Sequence, residues 1–300
     1  MPCLRIFFQA SEKVKCYLCN SLCFTARKGV VRDDPNIQIV ECNDCGLVFL
    51  SQTEQITSDF YQNSGMHSEC VSSIEEWLQD TEVDDQRRFE LVKNLLPNKN
   101  LLDFGCGAGG FLKKAKAFTA RITGIELETR IRQYWAGQIN IVSSLEEAIT
   151  TNKGYDLITA FHVLEHCLEP REILKSLSHL LEPNGRMIVE VPNSEDALFT
   201  IYDCDAFQRF SYWSQHLFLF NSSTLEKLAL QAGLRVTAIQ HYQRYPLSNH
   251  LYWLSQGKPG GHQKWSFLDN SETTQAYADS LAAIGKTDTL IAYLELGSMK

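Results

Sequence analysis

Leu101–Leu112 reads LLDFGCGAGGFL, and this stretch decides the fold. An apolar run, Leu101–Phe104, carries Asp103 near its end and passes straight into Gly105, Gly107, Gly109 and Gly110. From Phe111 to Phe118 the apolar residues take helical spacing, with Lys113, Lys114 and Lys116 on the wetted side. The order is strand, tight turn, helix. Glycine belongs in such a turn because a Cβ would block a ligand's close approach and because some φ values must be positive. The start of the helix offers unpaired N–H groups and the positive end of its dipole to the same ligand.

About twenty residues on, Arg121–Glu126 (RITGIE) is a second short strand ending in an acid. In nucleoside-binding βαβ units an acid at this offset takes the ribose hydroxyls, which makes Glu126 the candidate. The glycines do not follow the dinucleotide fingerprint. D-x-G-x-G-x-G, beginning at Asp103, instead resembles the first motif of class I S-adenosylmethionine (SAM)-dependent methyltransferases. The resemblance implies a doubly wound, Rossmann-like α/β fold with a seven-stranded sheet, and SAM as cofactor. The cofactor-binding set it implies is Asp103, Gly105, Cys106, Gly107, Gly109, Glu126, Leu127, Phe161, His162 and His166.

The chain downstream keeps alternating. A helix near Thr129–Gly137, a strand at Asn140–Val142 and a helix opening at Ser143–Leu145 precede the fourth strand, Tyr155–Phe161 (YDLITAF). His162-Val-Leu-Glu165-His166 follows at once and matches H-x-x-E-H, the inverted zinc-protease signature. A protease needs that motif inside a long helix. Here it stands at the carboxyl end of a buried strand, where many SAM methyltransferases carry a similar L-E-H string. His162 is then expected near the sulfonium, with Glu165 and His166 shaping the pocket or capping a helix. Pro170–Leu181 reads as a helix, Pro183-Asn-Gly185 as a turn, Arg186–Val191 as the fifth strand and Arg235–His241 as the sixth. Thr289–Leu296 is a seventh, antiparallel to the sixth, with 242–286 as an insertion between them serving as a lid or dimerisation element.

Ahead of this core, Cys16-Tyr-Leu-Cys19 and Cys42-Asn-Asp-Cys45-Gly46 are two C-x-x-C knuckles flanking a strand-like IQIVE. Two matched pairs at this separation suit a ribbon closing a tetrahedral Cys₄ zinc site, structural because no coordination position stays open. Cys23 is expected as a buried spare thiol. The expected organisation is a zinc ribbon over 12–52, a linker or lid over 53–74 and the methyltransferase domain over 75–300.

Three hundred residues, with 28 Lys+Arg against 36 Asp+Glu and a net charge of -8, argue against a general nucleic-acid binder. No run approaches the length of a membrane span, and the short LRIFF near the start is too brief for a signal peptide. Ten cysteines in a chain of this kind suggest metal or reduced thiols, and the protein reads as cytoplasmic.

Methyl transfer to a hydroxyl or carbon acid needs a base. The candidates are His216, His162 and His67, with Tyr61 as a partner. His216 lies in the aromatic stretch 196–221, which is expected to roof the acceptor pocket. A zinc-knuckle N-terminus on this core is similar to bacterial sugar C-methyltransferases acting on nucleotide-linked keto sugars. That resemblance implies a Glu-His base between the fifth strand and the next helix. His216 matches its histidine, whereas Gln215 stands where the acid would be. The expected partner is therefore a small-molecule acceptor, a nucleotide-linked sugar among the possibilities. An RNA-base methyltransferase and a non-catalytic SAM-binding scaffold are the alternatives. The oligomeric state and the atom methylated are not legible.

Overall fold

The structure is a computed structural model and describes residues 14–56, 73–151 and 154–297. Tyr61 and His67 lie outside the described residues. Three short strands open the chain: β1 (Phe24–Ala26), β2 (Ile39–Cys42) and β3 (Val48–Leu50). Helix α1 (Ile74–Val92) starts at a capping box in which Ser73 and Glu76 satisfy each other's backbone N–H groups. The core then alternates through β4 (Asn100–Phe104), α2 (Gly110–Ala115), β5 (Arg121–Ile125), α3 (Thr129–Tyr134), β6 (Asn140–Val142), α4 (Leu145–Thr151), β7 (Tyr155–Phe161), α5 (Pro170–Ser178) and β8 (Leu181–Pro192). Two short helices, α6 (Ala197–Thr200) and α7 (Asp205–Ser211), lead to β9 (Phe218–Leu219), α8 (Ser222–Gln231) and β10 (Leu234–Tyr242). The segment before the last strand, β11 (Thr289–Leu296), folds as α9 (Leu247–Gln256), α10 (Gly261–Lys264) and α11 (Ser271–Ala283).

Seven strands form one sheet in the order β10-β11-β8-β7-β4-β5-β6. The five from β8 to β6 are parallel, and β11 runs antiparallel to both β8 and β10. Side chains alternate between faces, so two apolar layers form. Leu102, Ile158 and Val189 face one, Leu101, Leu157 and Ile188 the other. The Pro183-Asn-Gly185 stretch does not end a helix before a fresh strand. It is a bulge within β8, where pairing passes from Tyr155–Leu181 to Leu157–Arg186.

The N-terminal strands do not form an independent sheet. β9, from the methyltransferase core, pairs with β3 through Val48–Leu219 and Phe49–Phe218. The Leu50 N–H also donates to the Leu217 carbonyl at 3.0 Å. One buried apolar cluster includes Leu18, Val40 and Leu47 together with Leu217, Phe220 and Leu102. Cys23, expected to be buried, is half-exposed beside β1.

Candidate active site

Two cavities open at the carboxyl ends of the parallel strands. The larger, about 650 Å³, is lined by Gly105, Cys106, Gly107, Gly109, Glu126, Leu127, Phe161, His162 and His166, all of them assigned to the cofactor from the sequence. Its floor is the glycine turn. Gly105 has φ +70°, and a Cβ there would stand 2.5 Å from Val163 Cγ2. Glu126 closes the turn from β5: one carboxylate oxygen accepts from the Gly107 N–H at 3.0 Å and the other from the Glu128 N–H at 3.0 Å. Burial raises its pKa, against the pull of these two donors.

Asp103 does not line this cavity. It sits opposite Thr159 in the β4–β7 ladder, is 3 % exposed and accepts from the Thr159 hydroxyl at 2.7 Å. Its side chain turns into the sheet interior, and burial pushes its pKa up to about 7. Its work is to tie two central strands together below the turn.

The second cavity, about 430 Å³, lies between the β8 end, the 196–221 stretch and α9. Phe199, Phe207, Phe210 and Trp213 form an aromatic wall. Asn193, Asp196, Asn249 and Asp288 supply polar groups. Arg32, from the connection between β1 and β2, reaches in with its guanidinium 4.3 Å from the Trp213 ring centre. The two cavities share Arg88, His162 and His166.

His162 occupies that junction at φ +53°, a conformation rare for a residue with a side chain. Its Nδ1 lies 3.2 Å from a Glu165 oxygen and its Nε2 3.0 Å from a Glu190 oxygen. Burial opposes a charge there, but hydrogen bonds to the two carboxylates outweigh it and leave the pKa raised. Both ring nitrogens are thus engaged by protein groups, which fixes the ring at the junction of the two cavities. Glu190, fully buried, also takes two parallel 2.8 Å bonds from Arg87, and Arg88 approaches at 3.3 Å. Arg244 stands 3.3 Å from His162 and pairs with Asp84.

His216 lines the second cavity. Its ring lies edge-on to His166 with centroids 4.8 Å apart. Burial, followed by the neighbouring His166, pushes its pKa down to about 3, which keeps it neutral. His166 donates from Nδ1 to the Gln215 carbonyl at 2.9 Å.

The residues that sequence reasoning missed are Arg32, Arg87, Arg88, Glu190 and Arg244. The string Asp84-Asp85-Gln-Arg87-Arg88 carried a signal, since it places i,i+3 acid–base pairs on a helix otherwise read through its apolar residues.

The four N-terminal knuckle cysteines converge. All four sulfurs lie within 4.8 Å of one another, and the Cys16–Cys45 and Cys19–Cys42 pairs are each 3.4 Å apart without a disulfide. A tetrahedron of Zn–S bonds of about 2.3 Å has edges of about 3.8 Å, so this donor set fits the ion. As neutral thiols the group is poorly solvated, and burial pushes Cys16 upward and Cys45 to about 11.

A glycine turn against an acid-tipped second strand, in a sheet with an antiparallel seventh strand, defines a class I SAM-dependent methyltransferase. Residues 74–239 match the methyltransferase-domain family model, more than half of the chain, and the protein belongs to that family. It is 30 % identical over 177 residues to a ubiquinone biosynthesis O-methyltransferase of Psychrobacter arcticus, covering 54 % of this chain and 68 % of that protein. The namesake from Psychrobacter cryohalolentis is 29 % identical over 190 residues, with 58 % and 72 % covered. Neither relative is a sugar C-methyltransferase. A chain from the complex of the Haloferax volcanii Trm112 methyltransferase activator with a methyltransferase superposes with a TM-score of 0.50 at 12 % identity. That match covers 76 % of this chain and 99 % of the other, a likeness of fold alone. Among the described residues no helix is long and apolar enough to cross a membrane.

Proposed function

We propose that this enzyme methylates a polar, ring-shaped small molecule, with His216 as the base and a structural zinc on Cys16, Cys19, Cys42 and Cys45. The observation that carries the reading is the meeting of the two cavities at Arg88, His162 and His166, with His216 packed against His166 on the acceptor side. Bound SAM supplies an electrophilic methyl whose leaving group is a neutral thioether, so no acid is needed there. The protein's tasks are to align the partners and to take the acceptor's proton. A neutral imidazole suits the second task. His162, Glu190, Arg87 and Arg88 fix the junction.

The acceptor cavity favours a sugar-like ring. Apolar ring faces pack on Phe199, Phe207 and Trp213, while Asp196 and Asn249 offer partners to hydroxyls. The names of the curated relatives favour transfer to oxygen. The test is transfer of labelled methyl from SAM to two probes, a nucleoside diphosphate-linked keto hexose and catechol. Methylation of the hexose is the expected result. Transfer to catechol alone would overturn the sugar class. Tight SAM binding with no transfer to either would point to the scaffold. His216→Asn is expected to leave SAM affinity intact and to lower turnover by about 10²–10⁴.

A further inference from the structure

We infer that Glu165 is the carboxylate partner of His216, a positioning residue that holds the imidazole N–H while the other ring nitrogen faces the acceptor. The inference rests on the reading of His216 as the base. Four observations carry it.

Glu165 is 1 % exposed, in the 3₁₀ turn Leu164–His166. One of its oxygens faces His162, but the other, Oε2, is buried with no hydrogen-bond partner among the described residues. A buried carboxylate oxygen left without a donor is costly. Second, the Leu217 N–H donates to the Glu165 carbonyl at 2.8 Å, which locks the turn in register with the loop carrying His216. Third, the donor atoms of Glu165, His166 and His216 all lie within 4.8 Å of one another. Fourth, among the described residues the His216 ring has edge contacts with His166 and Trp213 but no hydrogen bond.

Of the two imidazoles clustered with the Glu165 carboxylate, His166 has its proton on Nδ1, committed to the Gln215 carbonyl. His216 is the ring with an N–H to give. Its ring nitrogen and the Glu165 carboxylate lie within 4.8 Å of each other, so a small reorientation of the ring closes the pair to the usual charge-assisted distance of about 2.8 Å. The acid missing at Gln215 is thus supplied from a different element. The other charged or titratable groups facing His216 are His166, His162 and Arg32, all of which oppose its protonation. Glu165 alone acts the other way.

The step balances. The acceptor's O–H proton passes to the outward nitrogen of His216 as the oxygen's electron pair forms the bond to the methyl carbon. The C–S bond breaks with its pair on sulfur, giving a neutral thioether. The sulfonium's positive charge is replaced by an imidazolium facing Glu165, which releases its proton to water after the product leaves.

The test is histidine ¹⁵N NMR on the full chain with S-adenosylhomocysteine bound, in wild type and Glu165→Gln. The expected result at neutral pH is one His216 ring tautomer in wild type, its N–H toward Glu165, and mixed tautomers in the variant. An unchanged tautomer population in folded Glu165→Gln overturns the proposal. Should that variant not fold, His162→Asn serves, because Asn tolerates positive φ. It removes the competing donor from Glu165 and should leave His216 in a single ring tautomer with its N–H toward Glu165; mixed tautomers overturn the pairing. The base reading is judged separately, with whichever of the two acceptor probes is methylated. If Glu165→Gln mixes the His216 tautomers while His216→Asn still turns over normally, the pairing stands and the base reading fails. If His216→Asn abolishes turnover while Glu165→Gln alters neither the tautomer population nor the pH–rate profile, the base stands and Glu165 is dismissed.

Discussion

Arg87→Ala should destabilise the protein by about 3 kcal/mol, and the structure says why it is neither less nor much more. Arg87 leaves α1 and clamps the fully buried Glu190 of β8 with two bonds of 2.8 Å, its guanidinium also 5.0 Å from the Tyr242 ring centre. Removing one partner of a buried pair costs about 3–5 kcal/mol because the other charge stays behind. Glu190 keeps Arg88 at 3.3 Å and His162 at 3.0 Å, so the lower end applies. The assay is urea unfolding at pH 7, where 3 kcal/mol is about a hundredfold in the folding constant. Burial works against the Glu190 charge, but hydrogen bonds from His162 and Arg87 hold its pKa well below the carboxylate range. The stabilisation is therefore complete above the unfolded value near 4.3 and is lost as pH falls through the lower folded value, so wild type and variant should converge in strong acid. A loss below about 1 kcal/mol at pH 7, or a difference that persists in strong acid, would refute Glu190 as the charged anchor of α1.

Glu126→Ala should weaken SAM binding at least tenfold by calorimetry, since a charged acceptor is worth about 1.5–3 kcal/mol; equal affinity would dismiss its role. Asp103→Asn should stabilise the protein by about 2–4 kcal/mol at pH 8 and leave it unchanged below pH 4. The wild-type carboxyl keeps its proton to about pH 7 when folded and releases it near pH 4 when unfolded, so its stability falls with rising pH between those values. Urea unfolding at the two pH values checks this. Cys42→Ser should lower zinc content to below one equivalent by metal analysis, and chelation should unfold the N-terminal strands, because structural zinc contributes on the order of 10 kcal/mol.

The sheet was legible because it rests on short-range signals. YDLITAF coincides with β7, and Leu101–Phe104 misses β4 by one residue. Glycines at 105, 107 and 109 mark the turn because each needs positive φ. The lining of the second cavity was legible in part. His216 and the aromatic wall stand in one stretch that could be read as a lid. Arg32 could not be placed there, since it comes from the connection between β1 and β2, and Glu190, which holds His162 from β8, reads as an unremarked charge inside RMIVEV. Isolated polar residues that meet over a hundred positions apart leave no periodic trace.

That separation also explains why a cysteine-rich N-terminus should matter to the chemistry. Arg27 donates to the Tyr212 hydroxyl at 3.0 Å and to the Ser194 carbonyl, and its guanidinium lies 5.6 Å from the Phe199 ring centre. Arg32 lies against Trp213 at the cavity mouth. Tyr17 holds the start of α5 through Glu169 and the Arg171 N–H. The strands flanking the two arginines belong to a sheet that closes on β9, two residues after His216. A metal that orders the N-terminal strands therefore orders one wall of the acceptor cavity and the loop bearing the proposed base. The glycine turn and Glu126 lie in the other cavity, held by the central sheet. On the proposed zinc and acceptor assignments, loss of the metal should weaken acceptor binding before SAM binding.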